Sequence, residues 1–96
     1  MQNQQCLQSI YASKSICFGC GPANKNGLKI QSYVKDAQII CDWMPSLSHQ
    51  AFPGILNGGI ISSILDCHSN WAAAYFFMDF LGLDYPQCSV TGKFTV

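Results

Sequence analysis

The chain has 96 residues, enough for one small domain with a modest core. It is 49% hydrophobic and 10% charged, against roughly 25% charged in ordinary soluble domains, so an oligomer that hides apolar faces is expected. Five lysines balance five aspartates, with neither arginine nor glutamate, which leaves no basic footprint for a phosphate backbone and argues against nucleic-acid binding.

Met1-Gln2-Asn3-Gln4-Gln5 carries neither the basic nor the apolar stretch of a secretory signal. The most apolar window, residues 71–83, is interrupted by Asp79 and is too short to span a bilayer. No membrane partner is expected, the expected location is cytoplasmic, and the six cysteines are read as reduced thiols.

Residues 1–16 form an N-terminal segment in which Leu7, Ile10 and Tyr11 suggest a short helix. Residues 17–27, Cys17-Phe18-Gly19-Cys20-Gly21-Pro22-Ala23-Asn24-Lys25-Asn26-Gly27, are dense in turn formers and predict a compact loop. From Leu28 the pattern alternates: Leu28, Ile30, Ser32 and Val34 fall on one face, and Lys29, Gln31, Tyr33 and Lys35 on the other. Asp36-Ala37 then predicts a tight turn into a second strand through Trp43, ended by Pro45. Residues 46–52 predict a polar connection containing His49 and Gln50.

Pro53-Gly54 delivers the chain to Asn57, a good N-cap, and a long helix is predicted over residues 58–81 with Gly82 just past its end. Its predicted stripe is Ile60, Ile61, Ile64, Leu65, His68, Trp71, Ala72 and Tyr75, and its second half is apolar almost all round, which predicts burial on most sides. Residues 87–96 alternate as a strand, with Cys88, Val90, Gly92, Phe94 and Val96 on one face and Ser89, Thr91, Lys93 and Thr95 on the other.

Chemistry concentrates at the long helix. Its first amides have no intrahelical acceptor and carry the positive end of the dipole. With glycine at Gly58 and Gly59, a carbonyl oxygen can approach those amides as in an oxyanion hole, although the same glycines also suit a tight loop. Asp66, in an apolar neighbourhood, must be paired, solvated or used; Ser62, Ser63 or a backbone group is a candidate partner. Eight residues separate Gly58 from Asp66, a rise of about 12 Å, so one helix cannot bring both to one acyl group. A second, antiparallel copy can, which points to a two-fold dimer with shared sites.

The string from Cys17 to Asn24, then Gly27-Leu28, then His49-Gln50-Ala51-Phe52-Pro53-Gly54-Ile55-Leu56-Asn57-Gly58-Gly59-Ile60-Ile61, then Leu65-Asp66, resembles the hotdog-fold thioesterases of the PaaI type. The resemblance covers about residues 17–96. It implies an α+β hotdog fold: an antiparallel β-sheet wrapped around one long central helix, here without the last strands, as a single domain over residues 1–96. It further implies a homodimer or dimer of dimers that hydrolyses acyl-CoA thioesters at the subunit interface, with no metal and no cofactor.

By position, the resemblance makes Asp66 the general base or nucleophile and Gly58 the residue whose amide polarises the thioester carbonyl, with Gly59 beside it. Asn57 stands where most members have histidine, so it can hydrogen-bond but cannot exchange protons. His49, Gln50 and Ser89 match positions that hold the thioester or water in some relatives. Two other functions rank behind: a non-catalytic hotdog module for acyl binding or dimerisation, and a small zinc-binding module built on Cys17 and Cys20. The latter needs further ligands from Cys41, His49, Cys67 or His68.

Overall fold

The computed structural model describes residues 4–87 and 89–95. In chain order its elements are helix α1 (Leu7–Tyr11), strands β1 (Tyr33–Lys35) and β2 (Gln38–Ile40), a 3-10 turn over Leu47–His49, strands β3 (Gln50–Phe52) and β4 (Ile55–Leu56), and helix α2 (Gly58–Leu81). The architecture is α+β: two small antiparallel ladders, β1–β2 and β3–β4, and one long helix.

Helix α2 starts and stops where its termini dictate. Asn57 is the N-cap, its Oδ1 accepting from the Gly59 amide at 2.7 Å. Gly82 takes the left-handed conformation at φ 68°. The amides of Gly82 and Leu83 then bond back to Asp79 (3.2 Å) and Met78 (2.9 Å), closing the last turn as a Schellman motif. The helix has 24 residues, which makes it about 36 Å long.

The core lies against the first half of α2. Cys20, Leu28 and Ile30 are buried, and Ile60, Ile64, Cys67 and Trp71 pack on them with Cys41 and Trp43. The contact stripe is therefore narrower than predicted, with Cys67 in it and Ile61 and Leu65 exposed. The expected burial of the second half is also corrected. Met78 is buried, but Phe76, Phe77 and Leu81 are exposed and Phe80 is 86% exposed. A helix apolar all round needs cover on every side, and two short ladders of one chain do not supply it.

The β1–β2 hairpin matches expectation at its turn: Lys35 pairs with Gln38, and Asp36 adopts the positive φ (56°) that a two-residue hairpin requires. The first strand is shorter than predicted. Alternation holds from Leu28 to Ser32, with Leu28, Ile30 and Ser32 buried and Lys29 and Gln31 exposed. Yet Lys29 turns to φ 58°, and the segment bonds elsewhere. The Leu28 amide meets Phe18 O at 2.8 Å, Ile30 meets Gly19 O at 3.0 Å, and Ser32 O takes the Leu7 amide at 2.8 Å. The loop and α1 thus occupy the place of a neighbouring strand.

The second strand stops at Ile40 rather than Trp43, whose indole instead donates to Leu28 O at 2.8 Å. Residues 46–52, predicted as a plain connection, fold into the 3-10 turn and the β3–β4 ladder. The predicted C-terminal strand is not formed by residues 87 and 89–95; Cys88 and Val96 lie outside the described residues. Residues 89–95 are all exposed. Ser89 and Thr91 bond to α2, while Val90 and Phe94 are exposed. Among the described residues no helix is long and apolar enough to cross a membrane.

Candidate active site

The predicted site residues fall into two groups. Asn57, Gly58 and Gly59 sit at the start of α2, next to His49 and Gln50. Asn57 Oδ1 occupies the Gly59 amide, while the Gly58 amide meets no acceptor among the described residues. A Cβ built on Gly58 would find no atom within 4 Å, whereas one on Gly59 would lie 2.9 Å from Asn57 Oδ1. Gly58 is thus the open donor, and Asn57 serves as cap.

His49 and Gln50 hold the loop that feeds the helix. His49 Nδ1 accepts from the Ser46 amide at 2.9 Å and its ring lies 4.9 Å from that of Trp43. Its carbonyl takes the Asn57 amide at 2.9 Å. Gln50 donates to Leu47 O and accepts from the Gly54 amide at 2.6 Å. Both side chains are engaged in shaping the turn.

The second group lines a cavity of about 590 Å³ between α2, the Cys17–Cys20 loop and the C-terminal segment. Asp66 is half-buried there, and Thr91 donates its hydroxyl to Asp66 Oδ1 at 2.5 Å. Neither Ser62 nor Ser63 pairs with Asp66; Ser63 bonds back to Gly59 O at 2.9 Å. Ser89 also lines the cavity and donates to Asn70 Oδ1 at 2.7 Å. Gly58, Gly59, Asn57, His49 and Gln50 are not among its walls. Within one chain the two halves of the predicted site stay apart, as the rise of the helix requires.

Three thiols converge in the same cavity. The sulfurs of Cys17, Cys20 and Cys67 all lie within 4.8 Å of one another. Cys17 and Cys67, 50 positions apart, approach to 3.9 Å. The neighbouring Cys67 thiol is the main reason the Cys20 thiol is drawn down to about 6. Burial opposes that shift, donors on Cys17 and Trp71 assist it, and the nearby Asp66 charge opposes it weakly. Cys67 is pushed up, first by the neighbouring Cys20 sulfur and then by burial.

His68, one residue on, is absorbed by structure. Its Nε2 lies 3.2 Å from Ile39 O, which can only accept, so Nε2 carries the proton. Nδ1 then accepts from Ser32 Oγ at 2.8 Å, and Ser32 in turn accepts from Gln8 Nε2 at 3.0 Å. No protein-family model, curated protein or solved structure matches the chain.

Thr91 and Asn70 were not singled out by the sequence. Thr91 lay on the polar face of the predicted last strand, which is the only trace it left. Cys67 was one of four candidates to join the loop thiols, and the i, i+4, i+7, i+11 run from Ile60 through Ile64 and Cys67 to Trp71 is the signal that selects it.

Proposed function

We propose that the chain hydrolyses acyl thioesters of the acyl-CoA class, as a hotdog-type domain whose sites are shared between two copies. The observation that carries this is Asp66: a half-buried carboxylate, oriented by Thr91, facing a cavity large enough for an acyl chain. The open Gly58 amide at the start of the same helix supports it. So does the uncovered apolar surface of α2, which suits a second copy.

In this scheme the thioester carbonyl oxygen sits on the Gly58 amide of one copy. Asp66 of the other copy takes a proton from water through Oδ2, since Thr91 occupies Oδ1. The resulting hydroxide attacks the carbonyl carbon, the C–S bond breaks, and the coenzyme A sulfur leaves with the proton that Asp66 held. The products are a carboxylic acid and a free thiol.

The test follows acyl-CoA loss chromatographically with the full chain and with Asp66→Asn. The asparagine keeps the acceptor for Thr91 but cannot hold a proton, so the rate falls by about 10²–10⁴-fold. Equal rates in the two proteins refute the role of Asp66. Thermal stabilisation by acyl-CoA without turnover identifies a binding module instead.

A further inference from the structure

We propose that Cys17, Cys20 and Cys67 form a three-thiolate binding site for a zinc ion. The site stands on these residues alone and does not depend on thioester hydrolysis.

Geometry is the first ground. Tetrahedral zinc with Zn–S bonds of about 2.3 Å sets its sulfurs about 3.8 Å apart. Cys17 and Cys67 already stand at 3.9 Å, and all three sulfurs lie within 4.8 Å of one another. Small side-chain rotations close the remainder.

The second ground is the way the backbone makes room. A Cβ on Gly19 would lie 2.4 Å from Cys67 Sγ, so glycine leaves room for the helix sulfur in its present position beside the loop. A Cβ on Gly21 would lie 2.4 Å from the Cys17 nitrogen and 2.5 Å from Ser15 O, and the Gly21 amide bonds to Cys17 O at 2.8 Å. Residues 17–21 are therefore wound into a knuckle that carries Cys17 at its start and Cys20 three residues on. The third thiol comes from a rigid helix, which fixes the set independently of the loop.

Access and chemistry complete the case. Cys17 is exposed, Cys67 half-buried and Cys20 buried, so an ion has an entry path and a shielded seat. Soft thiolates select zinc over magnesium or calcium. Binding releases the thiol protons to solvent. Three protein ligands leave a fourth position toward the cavity for a solvent molecule.

The test uses the full chain, reduced and stripped with a chelator. Zinc is titrated against a chromophoric chelator, cobalt is followed by its thiolate charge-transfer band, and X-ray absorption counts the sulfurs around zinc. One metal per chain with a three-sulfur shell is expected. Cys67→Ser lowers zinc affinity by at least about tenfold, since even loss of an outer-shell partner costs that much. Cys17→Ser, at the exposed position, does the same and carries the test if the helix variant fails to fold. The off-site Cys41→Ser leaves the stoichiometry unchanged. Absence of stoichiometric metal, a shell of two or fewer sulfurs, or wild-type affinity in the folded cysteine variants overturns the site. No hydrolysis is measured, so this outcome and that for Asp66 are separate.

Discussion

Two inactive variants, mixed, bear directly on the shared site. Gly58→Val fills the approach to the open amide. Within its own chain the added side chain begins where no atom lies within 4 Å, so the fold tolerates it. Asp66→Asn removes the proton acceptor while leaving Thr91 its partner. Because Gly58 and Asp66 of one chain are about 12 Å apart along the helix, the proposed site would take its glycine from one copy and its aspartate from the other. A mixed dimer then carries one site with both lesions and one with neither. Equal mixing makes about half the dimers mixed, each with one intact site of two, so activity recovers to about a quarter of wild type. Each variant alone stays near zero. Acyl-CoA loss is read by chromatography, because thiol reagents would also titrate the protein's own six cysteines. Native mass spectrometry confirms exchange of subunits. If mixed dimers form and the activity does not exceed the average of the two parents, the shared site is refuted.

Three single substitutions follow from the backbone. Gly58→Ala, which meets no neighbour and sits at a negative φ, raises stability by about 0.4–1 kcal/mol through the unfolded chain, seen as a melting rise of a few degrees. Its hydrolysis falls by about a hundredfold if that amide receives the carbonyl; unchanged turnover removes Gly58 from the site. Gly19→Ala, whose Cβ would lie 2.4 Å from Cys67 Sγ, lowers stability by about 1–3 kcal/mol in urea unfolding. Asn57→Ala frees the Gly59 amide of its 2.7 Å partner and costs about 1 kcal/mol, while Asn57→Ser recovers most of it.

Much of this was legible because it is local. Asn57 and Gly82 bound α2 at the predicted residues, and Asp36-Ala37 makes the predicted turn. Cap and turn chemistry depend on a few neighbouring residues, so sequence carries them. What escaped depends on partners distant in the chain. Leu28 to Ser32 alternates like a strand, but its amides and carbonyls meet the cysteine loop and α1, which no periodicity announces. The predicted strand around Ser89 and Thr91 does not form; their hydroxyls instead donate to Asn70 and Asp66 of the helix. Asp66 was recognisable as a buried cost requiring a partner, but Thr91 was not nameable as that partner. The convergence of Cys67 on Cys17 and Cys20 is tertiary in the same sense.

The thiol cluster and the cavity bear on each other through the smallness of the core. Among the described residues, Cys20, Leu28 and Ile30 form its buried centre, with half-buried residues around them. A domain of this size buries a modest fraction of its surface, and small domains gain from a covalent or metal staple. A zinc ion on Cys17, Cys20 and Cys67 would be such a staple, because binding to a site that exists only in the folded chain is folding free energy. Its position gives it a second consequence. Cys67 adjoins Asp66 on the helix, and the loop cysteines form the facing wall of the cavity. Tying that loop to α2 fixes the wall against which Asp66 acts, just as Thr91 fixes the carboxylate itself. The exposed half of α2, from Phe76 to Leu81, lies beyond the reach of either device, so its cover has to come from another surface. In the proposed scheme a second copy would meet that need and, by the spacing of Gly58 and Asp66, would complete the site with the same contact.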